Sequence, residues 1–168
     1  FKLGLRKRNS KNLRTLVGLE FLNGSFDNNY TTGNELSYSI FTGQLNPFFE
    51  DSFGNVSVKA GAKVVASIDM ENDINNFLIY PDLKLETPII KEKLRVYLGA
   101  NGGLTTNTFR SFVNLNPFVA PSLAITQTSQ TYNAFAGFKG LVNNSLSFNL
   151  SAHLIEEEDK PLFIKNNS

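Results

Sequence analysis

The sequence predicts an all-β fold, an antiparallel up-and-down β-barrel of about eight strands that crosses a membrane. Three observations favour this fold. Apolar and polar residues alternate along many stretches, which is the two-residue period of a strand with one apolar and one polar face. No stretch follows a helical period convincingly. Short and long connections alternate along the chain, as they do in membrane barrels with short periplasmic turns and long outer loops.

Length and composition favour one domain, a single barrel segment over residues 1–168 without a plug domain. The 16 Lys and Arg residues nearly balance the 15 Asp and Glu residues, so bulk charge gives no reason to expect a nucleic-acid partner. The absence of cysteine excludes disulfides and thiolate metal sites. No apolar run is long enough for a membrane helix, but a membrane-spanning strand needs only about 9–11 residues.

The first four predicted strands cover residues 1–9, 13–22, 35–49 and 56–68. The fourth is the clearest, because Val, Ala or Ile occupies every second position from Val56 to Ile68. Turns or loops are predicted between them at 10–12, 23–34 and 50–55. The segment 23–34 is long and rich in Asn, Gly and Thr, which is typical of a loop.

The last four predicted strands cover residues 77–86, 94–101, 132–141 and 146–155. Pro81 weakens the first of them, since proline cannot donate to a ladder. The final two form a hairpin around residues 142–145, whose asparagines tolerate the positive φ of tight turns. The connections are an acidic loop at 69–76, a turn at 87–93, a long loop at 102–130 and an acidic tail at 156–168.

Two alternatives remain open at this point. In a soluble lipocalin-like barrel or a sandwich, the apolar row would face a dry interior instead of lipid. If the short turns are periplasmic, the first strand begins and the last strand ends on the outer side. That parity predicts an interior segment of a larger barrel, and an intact eight-stranded barrel is the second possibility.

Six short pieces, in this order and spacing, resemble a known family. They are YPDL at 80–83, LRVYLGAN at 94–101, NPFVAP at 116–121, YN at 132–133, AGFKG at 136–140 and LSFNLS at 146–151. The chain from about residue 56 to 167 is similar to the large outer-membrane barrels of the Bacteroidetes group, the TonB-dependent receptor-like proteins. The resemblance also accounts for Pro81. It implies the bacterial outer membrane, contact with outer-membrane lipid and lipopolysaccharide, and a porin- or receptor-like role in solute passage. Energised uptake is not supported, because neither a plug nor a TonB box is visible.

The polar positions of the predicted strands are mostly basic. As lining of a barrel lumen they would favour anionic solutes. Alternatively, they pair with acidic residues on further strands or on a plug. The basic set is Lys2, Arg6, Arg8, Arg14, Lys59, Lys63, Lys84, Arg95 and Lys139. The acids predicted on the same face are Glu20, Asp82 and Glu86.

The long connection at 102–130 is predicted either to fold into the pore or to reach another outer-membrane protein. Its candidate residues are Asn116, Pro117, Phe118 and Pro121. A second function therefore remains open, that of a structural or assembly subunit whose loops bind partner proteins.

No enzyme activity, cofactor or metal is expected. Ser151 and His153 share a strand face at a spacing of about 7 Å, but the sequence identifies no third group to orient the histidine. The acidic run 156–159 has no EF-hand spacing and is typical of a solvated loop. Seven aromatic residues near strand ends are predicted to form interfacial girdles: Tyr80, Tyr97, Phe109, Phe112, Phe118, Tyr132 and Phe163.

Overall fold

The computed structural model describes residues 1–8, 11–27, 33, 35–91, 93–119, 125–143 and 145–161. It confirms the predicted all-β meander, because eight strands form one sheet in sequence order and each pairs antiparallel with its neighbour. The strands are β1 (Lys2–Arg8), β2 (Leu13–Phe26), β3 (Leu36–Phe53), β4 (Val56–Asp69), β5 (Ile74–Ile90), β6 (Leu94–Thr106), β7 (Gln127–Asn143) and β8 (Leu146–Glu158). Over the described residues the sheet is not closed, so β1 and β8 are its edges.

Most strands extend beyond their predicted ends. β3 has 18 residues, which at 3.3 Å per residue is a length of roughly 60 Å. β5 runs through Pro81 and Pro88, so the turn predicted at 87–93 is wrong for residues 87–90. β8 includes Glu156 to Glu158, which the sequence had assigned to a loop. Neighbouring strands explain these extensions. Polar segments that do not alternate are held in an extended conformation by hydrogen bonds to the adjacent strand.

The strand register gathers the alternating apolar residues onto one side of the sheet, here called the apolar face. One row across it is Leu5, Val17, Leu45, Val64 and Ile79, and another is Val58, Leu85, Leu98, Ala136 and Ala152. Leu98 is 52% exposed and Leu150 is 60% exposed. The soluble alternative requires Val58, Ala62, Leu98, Phe148 and Leu150 to be buried, and none of them is.

The sheet curves around its other side, here called the polar face. Gln127 on β7 donates through Nε2 to Thr42 Oγ1 on β3 at 2.9 Å. Three strands lie between β3 and β7, so in a flat sheet the two strands would be roughly 19 Å apart. This hydrogen bond therefore requires strong curvature.

A local separation of β5 from β6 contributes to this curvature. The ladder between them begins at Asp82 opposite Asn101. Residues 74–81 of β5 pair only with β4, and residues 103–106 of β6 pair only with β7. The ends of β6 and β7 thus bring Gln127 and Ser129 across the polar face, where Ser129 Oγ lies 2.9 Å from Tyr80 Oη.

A short helix, α1 (Phe109–Leu115), lies within the connection that was predicted as a loop, and that prediction is wrong at these residues. Thr108 and Ser111 form a capping box at its start. Phe112 is 1% exposed and clusters with Ile40 of β3 and Ile125. The long connection therefore folds back and fills one end of the curved sheet.

None of the helical residues in the described ranges forms a segment long and apolar enough to cross a lipid bilayer.

Candidate functional site

The polar face brings together all nine basic residues of the predicted lumen set. The register places Lys2 opposite Glu20, Arg6 opposite Leu16, Arg8 opposite Arg14, Lys59 opposite Lys84, Lys63 opposite Tyr80 and Arg95 opposite Lys139. Buried apolar side chains interrupt this face at Ile40, Phe48 and Val65. Alternation along residues 35–49 predicts Ile40 on the apolar row, and that prediction is wrong, because the register puts Ile40 on the same face as Thr42. Whether the face lines a lumen stays a prediction.

Three of the basic residues each pair with a carboxylate of a neighbouring strand. Lys2 Nζ lies 2.9 Å from Glu20 Oε2, and Arg14 Nη1 lies 2.6 Å from Glu50 Oε2. Lys59 Nζ lies 2.6 Å from Asp82 Oδ2. The carboxylate partners of these three basic residues are thus on the same sheet. Acidic residues on further strands or on a plug are not required to pair with them.

Glu86 on β5 is the centre of a four-residue ionic cluster. Its carboxylate lies 3.1 Å from Lys84 Nζ, 3.2 Å from Arg95 Nη1 and 2.9 Å from Lys139 Nζ. Its side chain is 12% exposed, so three cations from β5, β6 and β7 converge on one nearly enclosed carboxylate. This cluster carries a net charge of +2 and joins three strands.

Asp82 organises a second cluster nearer the middle of the sheet. Both of its carboxylate oxygens accept from Lys59 Nζ, and Oδ2 also accepts from Asn46 Nδ2 at 2.9 Å. The Lys59 ammonium lies 4.6 Å from the centroid of the Phe48 ring, a cation–π arrangement. These contacts fix the orientation of the Asn46 amide.

A cavity of about 490 Å³ opens beside this cluster. Its lining includes Asn46, Lys59, Lys63, Asp82 and Glu157. Lys63 Nζ donates to the Gly102 carbonyl oxygen at 2.8 Å, and no carboxylate in the described part of the chain lies within ion-pair distance of it. Asn46 Oδ1 is buried, and it has no hydrogen-bond partner among the described residues. The cavity therefore presents two ammonium groups and two carboxylates to a polar solute, while the buried Asn46 Oδ1 is out of its reach.

A network of hydrogen bonds between hydroxyl and amide side chains crosses the polar face next to the cavity. Ser67 Oγ donates to Gln127 Oε1 at 2.6 Å, and Gln127 Nε2 donates to Thr42 and to Thr106 at 2.9 and 3.0 Å. Tyr80 is 2% exposed within this region. Sequence reasoning missed this network, because it joins residues of β3 and β4 to residues of β6 and β7, and these two pairs of strands are separated by β5.

The candidate residues of the long connection follow α1. Asn116 is the C-cap of the helix, and its Oδ1 accepts from the backbone N–H of Phe118 at 3.1 Å. Pro117 lies between them in the same turn. Phe118 is 95% exposed and Leu115 is 76% exposed. Pro121 lies outside the described residues.

The predicted aromatic girdles are wrong for three residues, Tyr80, Phe112 and Tyr97. Tyr80 lies within β5 on the polar face, and Phe112 lies in the small core under α1, so neither can reach a lipid interface. Tyr97 is also on the polar face, with its hydroxyl 2.7 Å from Asn149 Oδ1. Phe163 lies outside the described residues. For the strand residues, the face of the sheet on which the side chain lies determines whether it can belong to a girdle, and closeness to the strand end does not.

No family model matches the chain, and neither a curated protein nor a solved structure matches it. The resemblance to the TonB-dependent receptor-like barrels therefore stays a prediction. In the described part of the chain, no three His, Cys, Asp or Glu side chains are grouped as metal ligands.

Proposed function

We propose that this chain is the wall of a porin- or receptor-like β-barrel in the bacterial outer membrane, with the polar face lining the path of a solute. The uncovered apolar face carries the proposal. The apolar side of a sheet in water is normally covered by a second layer of structure. Here each of the eight strands has exposed apolar side chains on the apolar face. Lipid, including lipopolysaccharide, would cover it.

Closure of the barrel follows from the same proposal. Every backbone N–H and C=O must find a partner within a bilayer, so an open sheet edge is not stable there. The edges at β1 and β8 are therefore completed by further strand pairing in the membrane.

A cysteine scan along β8 tests the proposal, because the native chain has no cysteine. Single cysteines replace Phe148, Leu150 and Leu154 on the apolar face, and Ser147 and Asn149 serve as matched controls on the polar face. Spin labels on the protein in lipid vesicles should be accessible to oxygen at the first set and to a water-soluble nickel complex at the second. Equal water accessibility at both sets would exclude lipid as the cover.

The solute is an anion under this proposal. Nine basic residues share the polar face with the carboxylates of Glu20, Glu50, Asp82, Glu86 and Glu157. The excess of positive charge belongs to the face as a whole, since the cavity itself is lined by two lysines and two carboxylates. Confined positive charge concentrates anions.

Reversal potentials in planar bilayers under a KCl gradient measure this preference. The assembled protein should prefer chloride, and Lys63→Met should reduce that preference because Lys63 donates to a backbone carbonyl and lies in no ion pair within the described part of the chain. Lys7→Met is the control, since Lys7 lies opposite Thr15 on the other face. A preference for potassium in the native protein would refute anion passage.

A second function, as a structural or assembly subunit, is favoured by the exposed end of α1. Leu115 and Phe118 place two large apolar side chains in the open at the long-connection end of the sheet. A photo-crosslinking residue at position 118 should then capture another outer-membrane protein, and the same group at the exposed position 71 should not. Equal capture at both positions would count against this function.

A further inference from the structure

Three polar side chains on β7 and β8 form a chain of hydrogen bonds on the polar face. Ser151 and His153 are two residues apart on β8, and Ser151 Oγ lies 3.1 Å from His153 Nε2. His153 Nδ1 lies 3.0 Å from Asn133 Oδ1 on β7. The order of the groups is hydroxyl, imidazole and amide, which is the order of nucleophile, base and orienting group in hydrolases.

The partners of Asn133 determine which imidazole nitrogen carries the proton. Asn133 Nδ2 donates to Asn101 Oδ1 at 3.3 Å, so its Oδ1 faces the imidazole as an acceptor. His153 Nδ1 must then carry the hydrogen, which leaves Nε2 to accept the proton of the Ser151 hydroxyl. The Phe135 ring is stacked on the imidazole, with centroids 5.8 Å apart and an interplanar angle of 28°, and restrains its rotation.

We propose that Ser151 is an activated nucleophile that cleaves water-soluble carboxylic esters. Ser151 Oγ attacks the ester carbonyl carbon while its proton passes to His153 Nε2. The tetrahedral intermediate collapses, the C–O bond to the alcohol breaks, and His153 returns the proton to the departing alcohol. Water then attacks the acyl-serine with the same proton transfers, which releases the carboxylic acid and restores the hydroxyl.

In this mechanism Asn149 stabilises the oxyanion through its side-chain amide. It precedes Ser151 by two residues on the same strand face, and its Oδ1 accepts from the Tyr97 hydroxyl at 2.7 Å. Its Nδ2 hydrogens are thereby left to donate to a negative oxygen. Gly137 lies opposite Ser151 in the register, and the Tyr97 ring of β6 lies across Gly137, so the substrate approaches Ser151 from the exposed β8 side.

The position of the site on the polar face determines the substrate class. Ser151 and His153 are both exposed, and they lie on the opposite side of the sheet from Leu150 and Leu154. An ester with a short acyl chain can approach from water, whereas a membrane phospholipid faces the other side. This activity goes beyond the proposed passage of solutes and does not depend on it.

Labelling with a fluorophosphonate probe tests the proposal on the full chain in detergent micelles. The probe should modify Ser151, as identified by mass spectrometry of the tryptic peptide. Ser151→Ala should abolish the labelling, and His153→Ala should slow it by roughly 10²-fold or more. Ser147→Ala is the matched control, because Ser147 is an exposed serine on the same strand and should not affect the rate.

Asn133 is a positioning residue, and two variants separate that role from a structural one. Asn133→Asp keeps the acceptor oxygen and should retain the labelling rate, whereas Asn133→Leu should lower it to the level of His153→Ala. Hydrolysis of p-nitrophenyl acetate and of a long-chain p-nitrophenyl ester should follow the same order, with preference for the acetate.

Two results would overturn the proposal. One is absence of a Ser151 adduct in native protein whose far-ultraviolet circular dichroism shows the folded sheet. The other is labelling of Ser151 at the same rate in the native protein and in His153→Ala.

Discussion

Gly102 lies where β5 and β6 separate, and the backbone there approaches too closely for a side chain. A Cβ on Gly102 would be 2.7 Å from the Gln130 carbonyl oxygen and 2.8 Å from that of Thr131. Gly102→Ala should therefore lower the free energy of unfolding by about 1–3 kcal/mol. Gly4→Ala is the control, since nothing lies within 4 Å of a Cβ there. Urea titrations in micelles compare the two variants, and equal losses would contradict the close approach.

At the scale of single residues, the sequence predicts the face of a side chain better than its partner. The period of two placed Lys59 and Lys139 on the polar side correctly. Their carboxylate partners Asp82 and Glu86 depend on the register between strands, which alternation alone does not determine. Asn133 was missed as the partner of His153 for the same reason, because it lies 20 residues away across a hairpin.

The helix α1 is held at its start by one cap and along its length by one buried ring. Thr108→Ala removes the side-chain acceptor for the Ser111 N–H and should cost about 1 kcal/mol. Phe112→Ala empties the core beside Ile40 and should cost about 3–5 kcal/mol. Leu115→Ala is the matched control, because Leu115 is exposed. Hydrogen exchange of residues 109–116 reports all three, and equal protection in Phe112→Ala and Leu115→Ala would refute this packing.

At the scale of elements, all eight strands were predictable, but several of their ends and the helix were not. Alternation marks only the parts of a strand that face contrasting surroundings, so the polar end of β8 gave no signal. Seven residues are too few for a helical period to be visible in α1. The sequence did contain one indication of this helix. Thr108 and Ser111 have the spacing of a capping box, and Phe109 and Phe112 are three residues apart, which places them on the same side of a helix.

For the whole molecule, the two faces should respond oppositely to added charge. Leu98→Lys places an ammonium on the apolar face and should cost roughly 2–4 kcal/mol of stability in lipid if it lies near the bilayer midplane. Gln44→Lys places the same group on the polar face and should have little effect. Folding titrations in lipid vesicles compare them. Similar losses for the two variants would contradict a lipid-covered apolar face.

The meander has a kinetic consequence. Every strand pairs with its neighbour in sequence, and most of these pairs close only a short connection, the β6–β7 pair with its long connection being the main exception; local pairing of this kind favours fast folding. The hydrogen bond from Gln127 to Thr42 spans 85 residues and cannot form until the strands between them have assembled. The time at which this contact forms therefore reports when the five strands from β3 to β7 have come together.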